Sequence, residues 1–316
     1  MSNLIKYTIM KSYYMFQTLS EWPTWIALLS CYAGWILAGW LLYPVSPFLA
    51  LGIMAFLVAF HSSLQHEAIH GHPTPSALCN EILVGLPLGL AYPYRRYRTT
   101  HLLHHHDETL TDPHDDPESY YWDYAHWSRL GHVKRLLLTI NNTVLGRLLL
   151  GPLIGSVRFF LSDLRQIRAR NRTIRSAWII HILSGVLVAI IVTRGFHMPF
   201  LLYAIGPAYI GNALIGLRSY CEHQWHDKPD GRTIIVEHSL LSILFLYNNL
   251  HVVHHARPGE PWFRMPRLYA QDRKGWQTRN RGYVYRGYRH IIWRYLVRPK
   301  EPLLHPQDHP KTGSRS

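Results

Sequence analysis

Two long blocks of the chain contain almost no charged residues, and they dominate its hydrophobic pattern. From Trp22 to His66 there are 45 residues without Asp, Glu, Lys or Arg, which is enough for two spanning helices of about 20 residues each. Pro44 and Pro47 lie near the middle of this block, and because proline ends or begins helices we expect a tight turn there. Residues 22–66 are therefore predicted to form a transmembrane hairpin.

The second apolar block, residues 176–217, is interrupted by a single charge at Arg194. Its two halves, of roughly 18 and 20 residues, again have the length of spanning helices. We therefore predict a second transmembrane hairpin, and an all-α integral membrane fold with four transmembrane helices.

The other parts of the chain are polar, and we expect them to complete a single domain that covers residues 1–316. Residues 67–175 include an amphipathic stretch, Val133 to Phe160, which we interpret as one or two helices lying in the membrane interface. The apolar stretch from Ala77 to Tyr92 is shorter, so it fits either an interfacial or re-entrant helix or a helix packed inside the cytosolic part. The remaining segments are a cytosolic region, residues 218–270, and a basic tail, residues 271–316.

The distribution of positive charge indicates the orientation. The formal net charge is +14, and 32 of the 33 Lys and Arg residues fall on the side of the predicted hairpins that carries both termini. By the positive-inside rule this side is cytoplasmic. Arginines that immediately precede the second hairpin lie where anionic lipid headgroups are, so the basic charge does not indicate a nucleic-acid-binding protein.

Three cysteines, Cys31, Cys79 and Cys221, are scattered without paired spacing. This distribution argues against a disulfide framework and fits reducing surroundings. It also offers no cysteine quartet for an iron–sulfur or rubredoxin-type centre.

Three histidine clusters carry the candidate chemistry: residues 66–70 (HEAIH), residues 101–105 (HLLHH) and residues 251–255 (HVVHH). Residues three and four apart are neighbours on a helical surface, so each cluster can direct imidazoles toward one point. Adjacent helical side chains diverge by roughly 100°, so the pairs His104–His105 and His254–His255 favour two neighbouring metal ions over one. Eight histidines are also too many for a single zinc, which usually takes four ligands.

The order HxxxH, HxxHH, HxxHH resembles the membrane fatty acid desaturase and hydroxylase superfamily. The flanking sequences, residues 64–72 (LQHEAIHGH), 247–250 (YNNL) and 261–266 (PWFRMP), are similar to those of its bacterial members. The resemblance covers about residues 20–270. It implies a cytosolic histidine-rich centre with two iron ions, O2 as co-substrate, a lipid or fatty acyl substrate and an external ferredoxin- or rubredoxin-like electron donor. It also implies a bacterial inner-membrane protein, and the distribution of Lys and Arg places all three histidine clusters on the cytoplasmic side.

The resemblance carries the ligands over residue by residue, with a ninth histidine ahead of the third cluster. The segment at residues 218–223 (RSYCEH) matches the family there and suggests His223, with His226 as a nearby competitor. No role is assigned to His72, His106 and His114. The expected iron ligands are His66, His70, His101, His104, His105, His223, His251, His254 and His255.

A ligating imidazole usually has its second nitrogen held by a carboxylate or a carbonyl. The segment at residues 112–118 (DPHDDPE) resembles a family element after the second cluster, although Asp-Pro also forms turns and helix caps. Both interpretations of this segment stay open. The candidates to hold a ligand are Glu67, Glu222, Asp112, Asp116, Asn248 and Asn249.

The leading hypothesis is an O2-dependent acyl-lipid desaturase, with a hydroxylase or ketolase of the same superfamily as the close alternative. A zinc-dependent membrane hydrolase is the alternative from another class, because residues 66–70 also fit the HExxH motif. That alternative leaves the two HxxHH clusters unexplained. A metal transporter would require polar residues across the spans, and these are scarce.

Overall fold

The structure is a computed structural model that describes residues 21–105 and 107–308. His106 and both ends of the chain lie outside the described residues. Nearly all the regular structure is helical, which confirms the predicted all-α class.

The described residues form fourteen α-helical elements and two very short strands, together with single 3-10 turns. The helices are α1 Trp22–Leu42, α2 Pro47–Ile69, α3 Ala77–Val84, α4 Tyr94–His104, α5 Tyr124–Ser128, α6 His132–Asn141, α7 Val144–Arg168, α8 Arg172–Gly195, α9 Phe200–Glu222, α10 Leu241–Leu244, α11 His251–Ala256, α12 Met265–Gln271, α13 Arg273–Arg279 and α14 Tyr288–Tyr295. The strands β1 Ile235–Val236 and β2 Val284–Tyr285 pair in parallel, with Ile235 opposite Val284.

Five of these helices are long and apolar enough to cross a membrane: α1, α2, α7, α8 and α9. Four of them form the two predicted hairpins, and the chain is a membrane protein. Helix α7 meets the same criterion of length and composition, although its sequence predicts a helix in the interface. Its exposed apolar side chains recur every four residues at Leu145, Leu149, Leu153 and Val157, which is the one-sided pattern of an interfacial helix. The interfacial placement of α7 stays a prediction.

The turn between α1 and α2 lies where the two prolines predict it. Helix α1 ends in a π-helical turn, Ala38–Leu42, and Pro47 occupies the first turn of α2, where its missing N–H costs no hydrogen bond. The apolar stretch from Ala77 to Tyr92 is helical only in its first half, because α3 ends at Val84, and its placement in the interface or inside the cytosolic part stays open.

The residues divide into two compact units. The first comprises the described residues up to Arg98, Gln166–Gly211 and Pro258–Arg264. Its core packs Trp35 against Phe196 and Tyr203, with ring centroids 4.9 and 6.1 Å apart. The Trp35 indole donates a hydrogen bond to the Tyr203 hydroxyl at 3.1 Å, and that hydroxyl donates to the Leu88 carbonyl at 2.8 Å. Polar atoms in an apolar interior must be satisfied in this way.

The second unit comprises Thr99–Arg165, Asn212–Arg257 and the described residues from Met265 onward. Its core packs the apolar side of α11 against β1 and α12, through Val252, Val253, Ile235, Met265 and Tyr269. The apolar positions of the third cluster are thus buried in this core. The unit holds both HxxHH clusters and His223.

Candidate metal centre

Seven of the nine predicted ligands lie in the second unit, on three separate segments. His101 and His104 belong to the last turn of α4 and His105 follows it directly. His223 follows the last residue of α9, and α11 carries the three histidines of the third cluster. All seven are buried except His105, which is half-buried.

Four of these histidines form one compact group: His104, His223, His251 and His255. Each offers a nitrogen, and these four nitrogens all lie within 4.8 Å of one another. Nε2 of His223 is 2.8 Å from Nε2 of His104 and 3.0 Å from Nε2 of His251. Two nitrogens bound to one ion at about 2.1 Å are at most about 4.2 Å apart, so both measured Nε2 separations are short enough for His104, His223 and His251 to share one metal ion.

The other three histidines form a second group within the same unit. Nε2 of His105 lies 3.1 Å from Nε2 of both His101 and His254. The members of each adjacent pair thus belong to different groups: their ring planes differ by 78° for His104 and His105 and by 90° for His254 and His255. This division follows from the divergence of neighbouring side chains on a helix.

The remaining two predicted ligands lie in the first unit. His66 is in the last turn of α2, and His70 follows the helix directly. Their ring centroids are 4.9 Å apart, so the two imidazoles are neighbours, as residues four apart on a helix should be.

The protonation of the four-histidine group shows that it suits a cation. Nδ1 of His104 lies 2.8 Å from a carboxylate oxygen of Asp116, and Nδ1 of His251 lies 3.0 Å from the amide oxygen of Asn248. Both Nδ1 atoms therefore carry a proton, and in the neutral rings Nε2 presents a lone pair. Nε2 of His223 can form a hydrogen bond with Nε2 of His104 or with Nε2 of His251, but not with both. In at least one of these two contacts, therefore, two lone pairs face each other. A metal ion removes that conflict.

Carboxylate and amide side chains bind Nδ1 of several of the predicted ligands, or support the side chains that do so. Besides the Asp116–His104 pair, Glu118 accepts a hydrogen bond from Nδ1 of His101 at 2.9 Å. Asn248 donates to Glu222 at 2.7 Å, and Glu222 pairs with the buried guanidinium of Arg218 at 2.8 Å. Such partners fix the tautomer and orientation of a ligating imidazole.

The other candidates from the sequence have different partners in the structure. Asp112 accepts hydrogen bonds from the backbone amides of His114 and Asp115, which is the turn-capping role. The side-chain amide of Asn249 donates a hydrogen bond to the Val236 carbonyl. Glu67 accepts a hydrogen bond from the Trp262 amide at 3.1 Å and lies 3.8 Å from Nδ1 of His66.

Glu118 and Arg218 are not among the partners of the ligands that the sequence predicts. Glu118 closes the acidic segment that follows the second cluster, and its two-residue spacing from Asp116 was the available signal. The Glu118 amide donates to Asp116 at 2.9 Å, so one turn positions both carboxylates.

Burial and the neighbouring acids act in opposite directions on these imidazoles. Burial lowers the pKa of His223 and His251 well below the usual value for histidine, and it also lowers the pKa of His101 despite the nearby Glu118. For His104, burial alone would lower the pKa, but Glu118 and Asp116 outweigh it and raise the pKa to about 9. Burial thus favours the neutral form of His223 and His251 in the metal-free group, and metal binding requires neutral imidazoles.

The additional histidines have other contacts. Nδ1 of His226 accepts a hydrogen bond from the Lys228 amide, and within the first unit Nδ1 of His72 lies 3.0 Å from Glu21. The side chain of His114 is 60% exposed and 3.9 Å from Asp123.

Comparison with known proteins agrees with this geometry. A family model described as "Fatty acid desaturase" matches residues 38–287, a range that includes all nine predicted ligands. The comparison with curated proteins finds no match.

Proposed function

Because the chain belongs to the fatty acid desaturase family, we propose that it uses O2 and external electrons to introduce a double bond into the acyl chain of a membrane lipid or fatty acid. In this reaction the substrate loses two hydrogens. O2 is reduced to two waters by those two hydrogens, two electrons from the donor and two further protons.

The observation that carries the proposal is the group of four buried histidines from three segments, whose nitrogens lie within 4.8 Å of one another. An all-imidazole set suits iron, copper or zinc alike, so the assignment to iron rests on the family. We propose that this group holds one iron. We propose that His101, His105 and His254 hold a second iron. His66 and His70 are the remaining two ligands that the three-cluster pattern predicts for the two-iron centre.

The bound irons would supply activation of O2 for attack on a C–H bond, which acid–base side chains alone cannot perform. The protein's own contribution is orientation and exclusion of water. Asp116, Glu118 and Asn248 fix three imidazole rings through Nδ1, and burial of the group keeps the site dry. The chain also determines which carbon of the substrate reaches the centre, because small displacements cost large rate factors.

The zinc-hydrolase alternative gains little support from the position of Glu67. In an HExxH hydrolase this carboxylate is the general base that activates a water. Here it accepts a hydrogen bond from the backbone amide of Trp262. The first cluster therefore fits a ligand pair better than the catalytic motif of a hydrolase.

The proposed setting is a bacterial inner membrane, with the termini and the centre in the cytoplasm. The distribution of Lys and Arg supports this orientation. A substrate acyl chain would come from the bilayer, where side chains such as Phe48, Leu29 and Leu201 are largely exposed. Electrons would come from a separate ferredoxin- or rubredoxin-like donor.

Lipid mass spectrometry of cells with and without the gene product tests the proposal. A His254→Ala variant that still inserts in the membrane is the matched control. A lipid that has lost two hydrogens only in cells with the wild-type protein supports desaturation. A gain of one oxygen instead identifies the hydroxylase alternative. Hydrolysis of a lipid without O2 consumption by the purified protein, supplied with an adequate donor, contradicts both.

A further inference from the structure

His223 is the one member of the group of four that does not lie on a helix, whereas His104 lies on α4 and His251 and His255 lie on α11. It lies one residue beyond the end of α9, so no helix fixes its backbone. Its backbone forms an antiparallel bridge with Thr233. The rings of His104 and His251 are oriented through Nδ1 by Asp116 and Asn248, whereas no side-chain carboxylate or amide among the described residues bonds Nδ1 of His223.

The peptide carbonyl of His223 has an unusual partner. It accepts hydrogen bonds from the ammonium group of Lys300 at 2.5 Å and from the hydroxyl of Tyr120 at 3.2 Å. Charge-assisted hydrogen bonds of this kind are the stronger ones. Two donors on one carbonyl fix the direction of the peptide plane, and with it the position from which the His223 ring extends.

The ammonium group of Lys300 is itself closely enclosed. The side chain is only 4% exposed, and it pairs with Glu301 at 2.6 Å. The aromatic rings of Tyr120, Tyr220 and Tyr283 surround the ammonium, with centroids 5.6, 5.9 and 5.4 Å away. A lysine is seldom buried to this extent unless it is paired, and cation–π contacts add to the pairing.

The segment that carries this lysine, Lys300–His305, is fastened along its length. The Lys300 amide donates to the Asn142 carbonyl at 3.2 Å, and the Asn142 side chain donates to the Glu301 carbonyl at 2.6 Å. The Trp122 amide donates to the Leu303 carbonyl at 2.8 Å, and the His305 amide donates to the Trp122 carbonyl at 2.9 Å. The hydroxyls of Tyr120 and Tyr121 both donate to the Glu301 carboxylate. Lys300 is therefore held independently of His223.

We propose that Lys300 is a positioning residue for the metal centre: the Lys300–His305 segment fixes the backbone of His223 so that its imidazole completes the four-histidine site. This role rests on the proposed metal centre. It goes beyond the shared family pattern, because the family match ends at residue 287. Lys300 acts on the backbone of His223, which belongs to the group of four, so the role concerns the metal that this group holds.

The test compares metal release from the full-length protein and from Lys300→Met, which keeps the apolar stem and removes the ammonium. Both proteins are loaded with ferrous iron and mixed with a coloured ferrous chelator. We expect one of two irons to leave Lys300→Met about 10- to 100-fold faster than from the wild type, while the other leaves at the wild-type rate. Tyr120→Phe removes the second donor to the same carbonyl and should give a smaller change in the same direction.

Two matched controls separate positioning from general stability. Tyr269→Phe removes another hydrogen bond of the second unit, from its hydroxyl to Glu237 at 2.6 Å, and Lys274→Met removes an exposed lysine. Tyr269→Phe should lower the melting temperature of the metal-free protein without selective loss of one iron, and Lys274→Met should change neither property.

The inference is overturned if both irons leave Lys300→Met at the wild-type rate. It is also overturned if the release of both irons is accelerated equally. If Lys300→Met does not fold, a wild-type rate of iron release from Tyr120→Phe is by itself sufficient to overturn the inference. A wild-type protein that binds no metal contradicts the proposed function instead, so the two failures are distinguishable.

Discussion

The carboxylate of Asp116 lies 2.8 Å from Nδ1 of His104, whose Nε2 faces the group of four histidines. Both side chains are buried. The second carboxylate oxygen of Asp116 accepts a hydrogen bond from the Thr111 amide at 2.9 Å. The local turn thus fixes the carboxylate, and the carboxylate in turn orients the imidazole. The acid thereby determines which nitrogen of His104 is free to bind a metal.

Asp116→Ala should weaken metal binding by about 10- to 100-fold, because it removes the group that fixes the tautomer and orientation of His104. Metal affinity is measured by competition with a chelator of known strength. Asp115→Ala is the control, since Asp115 is the exposed neighbour and its loss should change affinity little. Equal affinities in the two variants would refute the role of Asp116, and the melting temperature of the metal-free proteins shows any separate loss of stability.

Glu118→Gln and Asp112→Asn distinguish the two interpretations of the acidic segment. Glu118 faces Nδ1 of His101, so Glu118→Gln should accelerate loss of the iron held by His101, His105 and His254. Asp112 caps a turn, so Asp112→Asn should change stability by about 1 kcal/mol or less and leave iron release unchanged. Chelator-monitored release measures both, and the opposite order of effects would contradict the structure.

The hydrophobic pattern predicted most of the fold, because membrane spans need long uncharged blocks and prolines mark their turns. Pro44 and Pro47 thus located the first hairpin. Helix α7 was harder to place from its sequence, since its apolar residues meet the length of a span while its arginines and one-sided exposure fit an interface. Sequence length alone does not separate these two cases.

The site was predictable where the ligands share one helix. It was less predictable where the contacting residues are distant in the sequence. The spacing within residues 101–105 and 251–255 indicates convergence on its own. By contrast, Glu118 meets His101 only because the turn before it bends back, and Lys300 meets His223 across 77 residues of sequence. Neither contact follows from local periodicity, and a charged residue in a basic tail gives no sign that it will be buried.

Metal binding at pH 7 should release about one proton from His104. Its pKa of about 9 in the metal-free protein means that it is protonated at pH 7, and a ligating imidazole must be neutral. Affinity should therefore fall about tenfold for each pH unit below 9, while His223 and His251, whose pKa values are lowered, contribute no release. Calorimetry in buffers of different ionisation enthalpy measures the protons. The absence of proton release at pH 7 would contradict the raised pKa, and Asp116→Ala should reduce the release.

Reporters fused before Met1 and after Ser316 test the membrane topology. With four crossings both reporters are cytoplasmic, as the positions of the Lys and Arg residues predict. A fifth crossing by α7 would place the two ends on opposite sides of the membrane. A third reporter in the turn at residues 43–46 should be extracytoplasmic, and a cytoplasmic result there would refute the first hairpin.

Metal analysis of the purified protein tests the two-metal histidine centre most directly. We predict about two irons per chain in the wild type, as a two-metal site requires, and at most about one in His104→Ala and in His254→Ala, because each variant damages a different group. The variants must be folded and membrane-inserted. One zinc per chain without iron, or two irons retained in both variants, would contradict the proposed centre.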